Sequence, residues 1–284
     1  MSKAGIQSNR GDGYQTLVAF DWALTLLSNT EYEWLEVDSV EWPVDDVVVG
    51  KKDGSIICCQ CKKNQTQYRA WSFGDLEEEL LKAIRLFESN EQSEAWFYSR
   101  TAFGELAVLG EFSKNFSCEN SYRASLKGAN EKTDSRLSSL LAKAHSSLSS
   151  YQAIRRIVFE NSPEMERMTE LVKERLRQAV SNHLAAFDAI WRRLNSLAMR
   201  VSETCISADA QHRLSKGELE RLLKQSGSVI TPPLAMEEIL SSFQSTSAVG
   251  RAWKTDIAGR HLSNPAVEEV MQSIVSAVKS THLP

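Results

Sequence analysis

The chain has 284 residues, 42% of them hydrophobic and 25% charged, with a formal net charge of −4. These proportions suit a globular protein with a buried core and exclude disordered and collagen-like classes, while the length fits either one large domain or a small α/β domain followed by a helical one. The acidic balance, with a pI near 5.8, is unusual for a protein that holds nucleic acid by its phosphates, because such binding ordinarily shows as a basic surface.

No window offers the roughly 18 uncharged apolar residues that a membrane span needs. Residues 1–10 are polar and lack the apolar centre of a signal peptide, so the expected compartment is the cytoplasm, with no membrane partner. Five cysteines, Cys58, Cys59, Cys61, Cys118 and Cys205, lack zinc-knuckle spacing and read as small buried hydrophobes in a reducing compartment. The histidines, His145, His183, His212, His261 and His282, are scattered, with no His-Glu-x-x-His and no Cys-His arrangement. There is no Gly-x-x-x-x-Gly-Lys-[Ser/Thr] phosphate loop and no Gly-x-Ser-x-Gly elbow, which removes zinc hydrolysis, cysteine or serine nucleophiles and an ATPase of the chain's own.

In chain order, Tyr14, Leu17, Val18, Trp22, Leu24, Leu26 and Leu27 give residues 13–28 a wide apolar face, predicting a core helix with Gln15 in its first turn. Residues 35–42 alternate as a strand that Pro43 ends. Residues 41–63 carry the strongest hairpin signal: the β-branched run Val47-Val48-Val49, a turn at Lys52-Asp53-Gly54, and a second strand Ile56-Ile57-Cys58-Cys59-Gln60-Cys61-Lys62. A helix over 72–87, a strand over 94–100 and a helix over 104–114 follow, then a polar, irregular stretch over 115–132. Helical periodicity resumes at 133. Ser162-Pro163 opens a helix that runs to about residue 202, with a break near Ser181-Asn182 as the alternative. A short helix over 215–224, the Thr231-Pro232-Pro233 break, a helix over 236–243, a linker over 244–262 and an amphipathic helix over 267–278 complete the chain.

The hairpin carries the chemistry. Side chains two apart on a strand share a face, so Cys58, Gln60 and Lys62 point one way while Ile57, Cys59, Cys61 and Lys63 point the other. Asp45 and Asp46 precede the partner strand, so a hairpin in register brings a carboxylate to the Gln60/Lys62 pair. Hydrolysing a phosphodiester calls for a divalent cation that activates water and a positive charge to offset the pentavalent centre. Asp46 and carbonyl oxygens suit Mg²⁺ (or Mn²⁺), and Lys62 suits the cationic role. Glu41 is a candidate second metal carboxylate, and Gln15 and Asp45 are candidate supporting groups. Lys51, Lys52, Lys62, Lys63 and Arg69 are expected to gather as a local basic cluster, with Arg69 and Arg100 as candidate phosphate contacts.

The pattern Asp46, Gln60, Lys62 resembles the PD-(D/E)xK nuclease core in its variant with Gln for the second acid. Gly13-Tyr14-Gln15 opening a helix, then Asp45-Asp46-Val47-Val48-Val49 and Gln60-Cys61-Lys62, is similar to the N-terminal nuclease module of bacterial antiphage effectors. That module occurs fused to cyclic-nucleotide-sensing SAVED domains or STAND-type ATPases, or paired with HerA-like helicases. The resemblance covers residues 8–105 and implies an α/β, restriction-endonuclease-like fold with a mixed sheet flanked by helices, followed by an α-helical domain. It implies catalysis by Asp46, Gln60 and Lys62, with Asp46 as principal ligand beside Gln60. The implied activity is cleavage of double-stranded DNA in antiphage defence, switched on by oligomerisation or by an ATPase, helicase or sensor partner.

The expected domains are a nuclease core over 1–115, a helical domain over 133–243 for oligomerisation or partner binding, and a linker and terminal helix over 244–284. Asn264-Pro265 resembles the lead-in to the ATPase of STAND-type members, implying a front piece of a longer protein. Phe187, Ile190, Trp191 and Leu194 cluster at helical spacing and are the candidate homo-oligomer surface, the alternative being that they pack inside the helical domain. The rival to an enzyme is a non-catalytic helical scaffold that keeps a nuclease-like sheet.

Overall fold

The computed structural model describes residues 3–62, 69–204 and 213–230, and every structural statement below concerns these. By its backbone packing the chain divides at 231/232. The second unit, residues 232–284, lies outside the described residues, as do the helix expected over 236–243, the linker and the terminal helix.

A 26-residue helix, α1 (Lys3–Ser28), leads into strand β1 (Tyr32–Val37). Strands β2 (Val47–Lys51) and β3 (Ile56–Lys62) form the expected hairpin. Its turn is made by local chemistry: Asp53 Oδ1 accepts from the Ser55 N–H at 2.9 Å, and Gly54 takes φ 85°, a conformation that favours glycine. A single 3₁₀ turn, Gly74–Leu76, enters α2 (Glu77–Ser89), followed by β4 (Glu94–Ser99) and α3 (Gly104–Lys114). Next come α4 (Glu119–Ser125), α5 (Gly128–Lys143), α6 (Ser150–Arg155) and β5 (Ile157–Asn161). The last elements are α7 (Met165–Ala179), α8 (His183–Thr204), β6 (Arg213–Ser215) and α9 (Lys216–Gln225).

The six strands form one mixed sheet in the order β5-β4-β3-β2-β1-β6. The pairs β1/β2, β2/β3 and β1/β6 are antiparallel, whereas β3/β4 and β4/β5 are parallel and joined through helices. Period-2 alternation separates two cores. Val47, Val49, Ile57, Cys59 and Tyr98 pack with α1, α7, α8 and α9. Val48, Cys58, Ala95 and Phe97 pack with α2, α3, α5 and α6. Sheet strands apolar on both faces are what a layer covered on both sides requires.

The structure departs from the sequence expectations in several places. β1 stops at Val37 because Asp38 takes φ 52° and turns the chain out of the strand. The expected irregular stretch over 115–132 contains α4 and the start of α5, held by Tyr122, whose hydroxyl donates to buried Asp134 at 2.7 Å. The single long helix is broken at 180–182, the alternative named above: Val180 bridges to Ile230, and the Ser181 N–H donates to the Val229 carbonyl. The division expected between 115 and 133 falls inside one unit, since β5 pairs with β4 and β6 with β1.

The proposed assembly patch is also largely spent internally. Phe187 stacks on Phe20 with ring centroids 4.9 Å apart, Ile190 and Leu194 are fully buried, and Trp191 stacks on Phe187 at the margin of the same core. Its residues pack against α1, so the internal alternative describes them. Cys58 and Cys59 are buried as expected, but Cys118 is exposed, and Cys205 lies outside the described residues.

Candidate active site

The register of the hairpin builds the site. Val47 stands opposite Cys59, so one step further out Asp46 falls opposite Gln60 at the open end of the hairpin. Gln60 Nε2 donates to Asp46 Oδ2 at 2.5 Å, and the Cys61 N–H donates to the same oxygen at 2.5 Å. Among the described residues, both hydrogen bonds to the Asp46 carboxylate fall on Oδ2. The Gln60 side chain is buried and its Oε1 has no hydrogen-bond partner. A buried amide oxygen without a protein partner is one that a water or an ion ordinarily satisfies.

Gln15 links α1 to this point. Its Nε2 donates to the Asp46 backbone carbonyl at 2.8 Å and to Asp38 Oδ1 at 2.5 Å. The Asp38 N–H also donates to the Asp46 carbonyl, at 3.0 Å, and the Ser39 N–H to the Asp45 carbonyl, at 2.8 Å. The backbone that presents Asp46 is therefore held by three hydrogen bonds, one from α1 and two from residues 38–39. Burial pushes the Asp46 carboxyl up to about 6, the charges of Asp45 and Asp38 add to the rise, and the Cys61 N–H and the Gln60 amide oppose it. The Cys61 thiol on the opposite face is held well above its usual range by burial, so it stays protonated and is no nucleophile.

Lys62 lies two residues beyond Gln60, on the same face. It pairs with Glu79 in the first turn of α2, both side chains being mostly buried, and its amine lies 5.8 Å from the centre of the Trp71 ring. Trp71 is fixed in turn by donating from Nε1 to Ser99 Oγ at 2.8 Å. The whole group sits at the carboxyl ends of the parallel strands β3 and β4, the edge at which open α/β sheets bind ligands.

Two other expectations change. Glu41 is taken by Arg213 of β6 at 3.1 Å, and the same guanidinium bonds Glu36 at 2.5 Å, so its carboxylate is committed to an ion pair away from Gln60. The basic cluster does not assemble: Lys51 and Lys52 belong to the turn end of the hairpin, about 20 Å of strand from its open end, and Lys51 pairs with Glu94. Arg69 is held by Asp75 and Arg100 by Glu164, and Lys63 lies outside the described residues. Asp38 and Glu79 escaped sequence reasoning, because each reaches the site from a different element and reads locally as a strand-end acid and a helix-start acid.

A divalent cation would meet two protein oxygens here, from the Asp46 carboxylate and Gln60 Oε1. Among the described residues no three His, Cys, Asp or Glu groups converge as a metal cluster. Such a site suits a hard cation that keeps most of its waters, as Mg²⁺ does, and the bare Gln60 oxygen is the observation that fits it.

No protein-family model matches the sequence, and no curated protein matches it. In part the chain is similar to the solved structure of the Acinetobacter baumannii Cap4 SAVED/CARF-domain containing receptor, at 10% identity and a TM-score of 0.49, over 76% of this chain and 46% of that one. The same receptor with the cyclic trinucleotide 3′3′3′-cAAA gives 10% identity and a TM-score of 0.48, over 76% and 44% of the two chains. The Moraxella osloensis Cap4 SAVED/CARF-domain containing receptor gives 13% identity and a TM-score of 0.44, over 80% and 48%. The chain thus spans less than half the length of these receptors.

Proposed function

We propose that the chain is a cytoplasmic, divalent-metal-dependent endonuclease of double-stranded DNA, with a restriction-endonuclease-like core, acting as an effector of bacterial antiphage defence. The carrying observation is Asp46 in register with Gln60, whose bare Oε1 and neighbouring Lys62 complete an acid, an amide oxygen and an amine at one strand end. The defence setting rests on the resemblance of the Gly13-Tyr14-Gln15, Asp46 and Gln60-Cys61-Lys62 motifs to nuclease modules of antiphage effectors, and activation by self-assembly or a partner rests on it too.

In this reading Asp46 and Gln60 Oε1 would hold Mg²⁺ or Mn²⁺, and the chemistry such an ion would supply there is a bound water of lowered pKa. Gln15, Asp38 and the Cys61 N–H keep Asp46 oriented. Lys62, freed from Glu79, would lie against the phosphate and offset the negative charge that develops as a water oxygen bonds to phosphorus and the P–O bond to the sugar breaks, the leaving oxygen taking a proton from solvent. The test is cleavage of supercoiled plasmid by the purified chain with Mg²⁺ or Mn²⁺, with EDTA and with Ca²⁺. Cutting is expected with the first two alone, since Ca²⁺ binds carboxylates but lowers the pKa of bound water less. Metal-independent cutting, or none with any partner or at any concentration of the chain, would leave the scaffold reading in its place.

A further inference from the structure

The Lys62–Glu79 pair imposes an order on the site. At the open end of the hairpin Lys62 is already neutralised by Glu79. Beside this pair stand Asp46 and the charges of Asp45 and Asp38 that act on it. The carboxylates of Asp46, Asp45 and Asp38 thus gather at a strand end whose one lysine Glu79 already offsets, and a phosphodiester approaching the site without a cation meets net negative charge. A divalent ion held by Asp46 and Gln60 Oε1 would offset two of those negative charges and turn a positive charge toward the phosphate.

We infer that Glu79 is a positioning residue: it parks Lys62 against the first turn of α2 and Trp71, and it makes phosphate binding conditional on a cation already held at Asp46. The inference rests on the nuclease reading and names the regulation of that same site. DNA then competes with Glu79 for Lys62, and the competition would favour DNA only where a cation is held at Asp46. Glu79 suits this task because it is mostly buried beside Lys62 and is not itself among the oxygens around Gln60, so releasing it costs no metal ligand. Its neighbour Glu78 is exposed on the same turn, and provides a control that removes the same charge without touching Lys62.

The experiment is fluorescence anisotropy of a labelled DNA duplex with the full chain, in EDTA and in Ca²⁺, which supports binding without the cutting step. Wild type is expected to bind in Ca²⁺ and hardly at all in EDTA. Glu79→Gln is expected to bind in EDTA about tenfold more tightly than wild type or more, narrowing the dependence on Ca²⁺. Glu78→Gln should behave as wild type, and Glu79→Gln with Lys62→Gln should lose the gain, since the freed amine is what binds. Should Glu79→Gln melt early, Glu79→Met removes the charge at similar length and carries the same comparison. Wild type that binds DNA in Ca²⁺ while the folded Glu79 variant binds in EDTA no better than wild type overturns the inference alone. Wild type that binds DNA under neither condition overturns the nuclease reading, and this inference with it.

Discussion

At the residue scale the central object is the Asp46 carboxyl. Its raised value means that the fold favours the neutral acid. The associated stabilisation is complete below the ordinary carboxylate pKa of about 3.9 and is lost as pH rises through about 6. At pH 8 the charged carboxylate is therefore a burden on the fold. Asp46→Asn, which keeps an oxygen for the Cys61 N–H, is expected to raise the melting temperature there by a few degrees, an effect of order 1–3 kcal/mol. The difference should vanish near pH 3.5. Calorimetric melting of both proteins across that range measures it, and a variant less stable at pH 8 would mean that the carboxylate is not strained. A cation must displace the proton, so metal affinity should rise with pH up to about 6 and level off above it, with close to one proton released per ion at pH 5. Titration calorimetry in buffers of different ionisation enthalpy reads that proton.

At the element scale the hairpin does most of the positioning, and its register is tightly specified because slipping by one residue would send Val47 and Val49 to the wrong core. Gly50 has a separate task. A Cβ there would meet the Trp34 indole at 2.1 Å, and that ring also stacks under Arg213 at 4.0 Å. Gly50→Ala is expected to cost about 1–3 kcal/mol by overpacking, visible as a lowered denaturation midpoint; an unchanged midpoint would show that Trp34 moves freely. On α8, Ile190→Ala and Leu194→Ala should each cost about 2–5 kcal/mol, because both are fully buried. Trp191→Ala should cost less than Phe187→Ala, and none of the four should alter the size of the protein in solution if they serve the core as they are packed here.

How much of this was readable from sequence follows from how local each feature is. Asp46, Gln60 and Lys62 were legible because one turn, Lys52-Asp53-Gly54, sets which residues face each other. Gln15 was legible as a polar group within reach, but not as placed: α1 begins at Lys3, so Gln15 sits mid-helix and not in the first turn. Glu79 was not, since Glu77-Glu78-Glu79 reads as the ordinary acidic first turn of a helix and only the packing of α2 on β3 singles out the third. Asp38 was missed for a similar reason: its left-handed backbone ends β1 early, and the pattern over 35–42 continues past it. β6, three residues long, carries no periodicity of its own, and β5 follows a short capped helix in a region dominated by helical pattern.

At the scale of the whole molecule, the sheet is completed by strands from distant parts of the chain. β5 and β6, with α5 to α9, cover faces that residues 1–115 alone would leave open, including Val48, Phe97, Leu17 and Phe20. A fragment of residues 1–115 is therefore expected to be insoluble or unfolded, whereas residues 1–231 should melt cooperatively as one unit. Circular dichroism melting of the two fragments distinguishes this from an independently folding core followed by a separate helical domain. The net charge of −4 also belongs to this scale: an acidic molecule whose Lys62 is already paired with Glu79 is expected to hold DNA only with a cation bound.

The central claim is that Asp46, Gln60 and Lys62 form a metal-dependent phosphodiesterase site, and the most direct measurement is plasmid cleavage in Mg²⁺ by wild type, Asp46→Ala, Gln60→Ala and Lys62→Ala, each checked for folding by its melting curve. Wild type is expected to nick or linearise the plasmid. Asp46→Ala and Lys62→Ala should lose cutting by at least about a hundredfold while remaining folded, and Gln60→Ala should lose part of it and require more Mg²⁺. Full activity in a folded Asp46→Ala or Lys62→Ala protein would contradict the account.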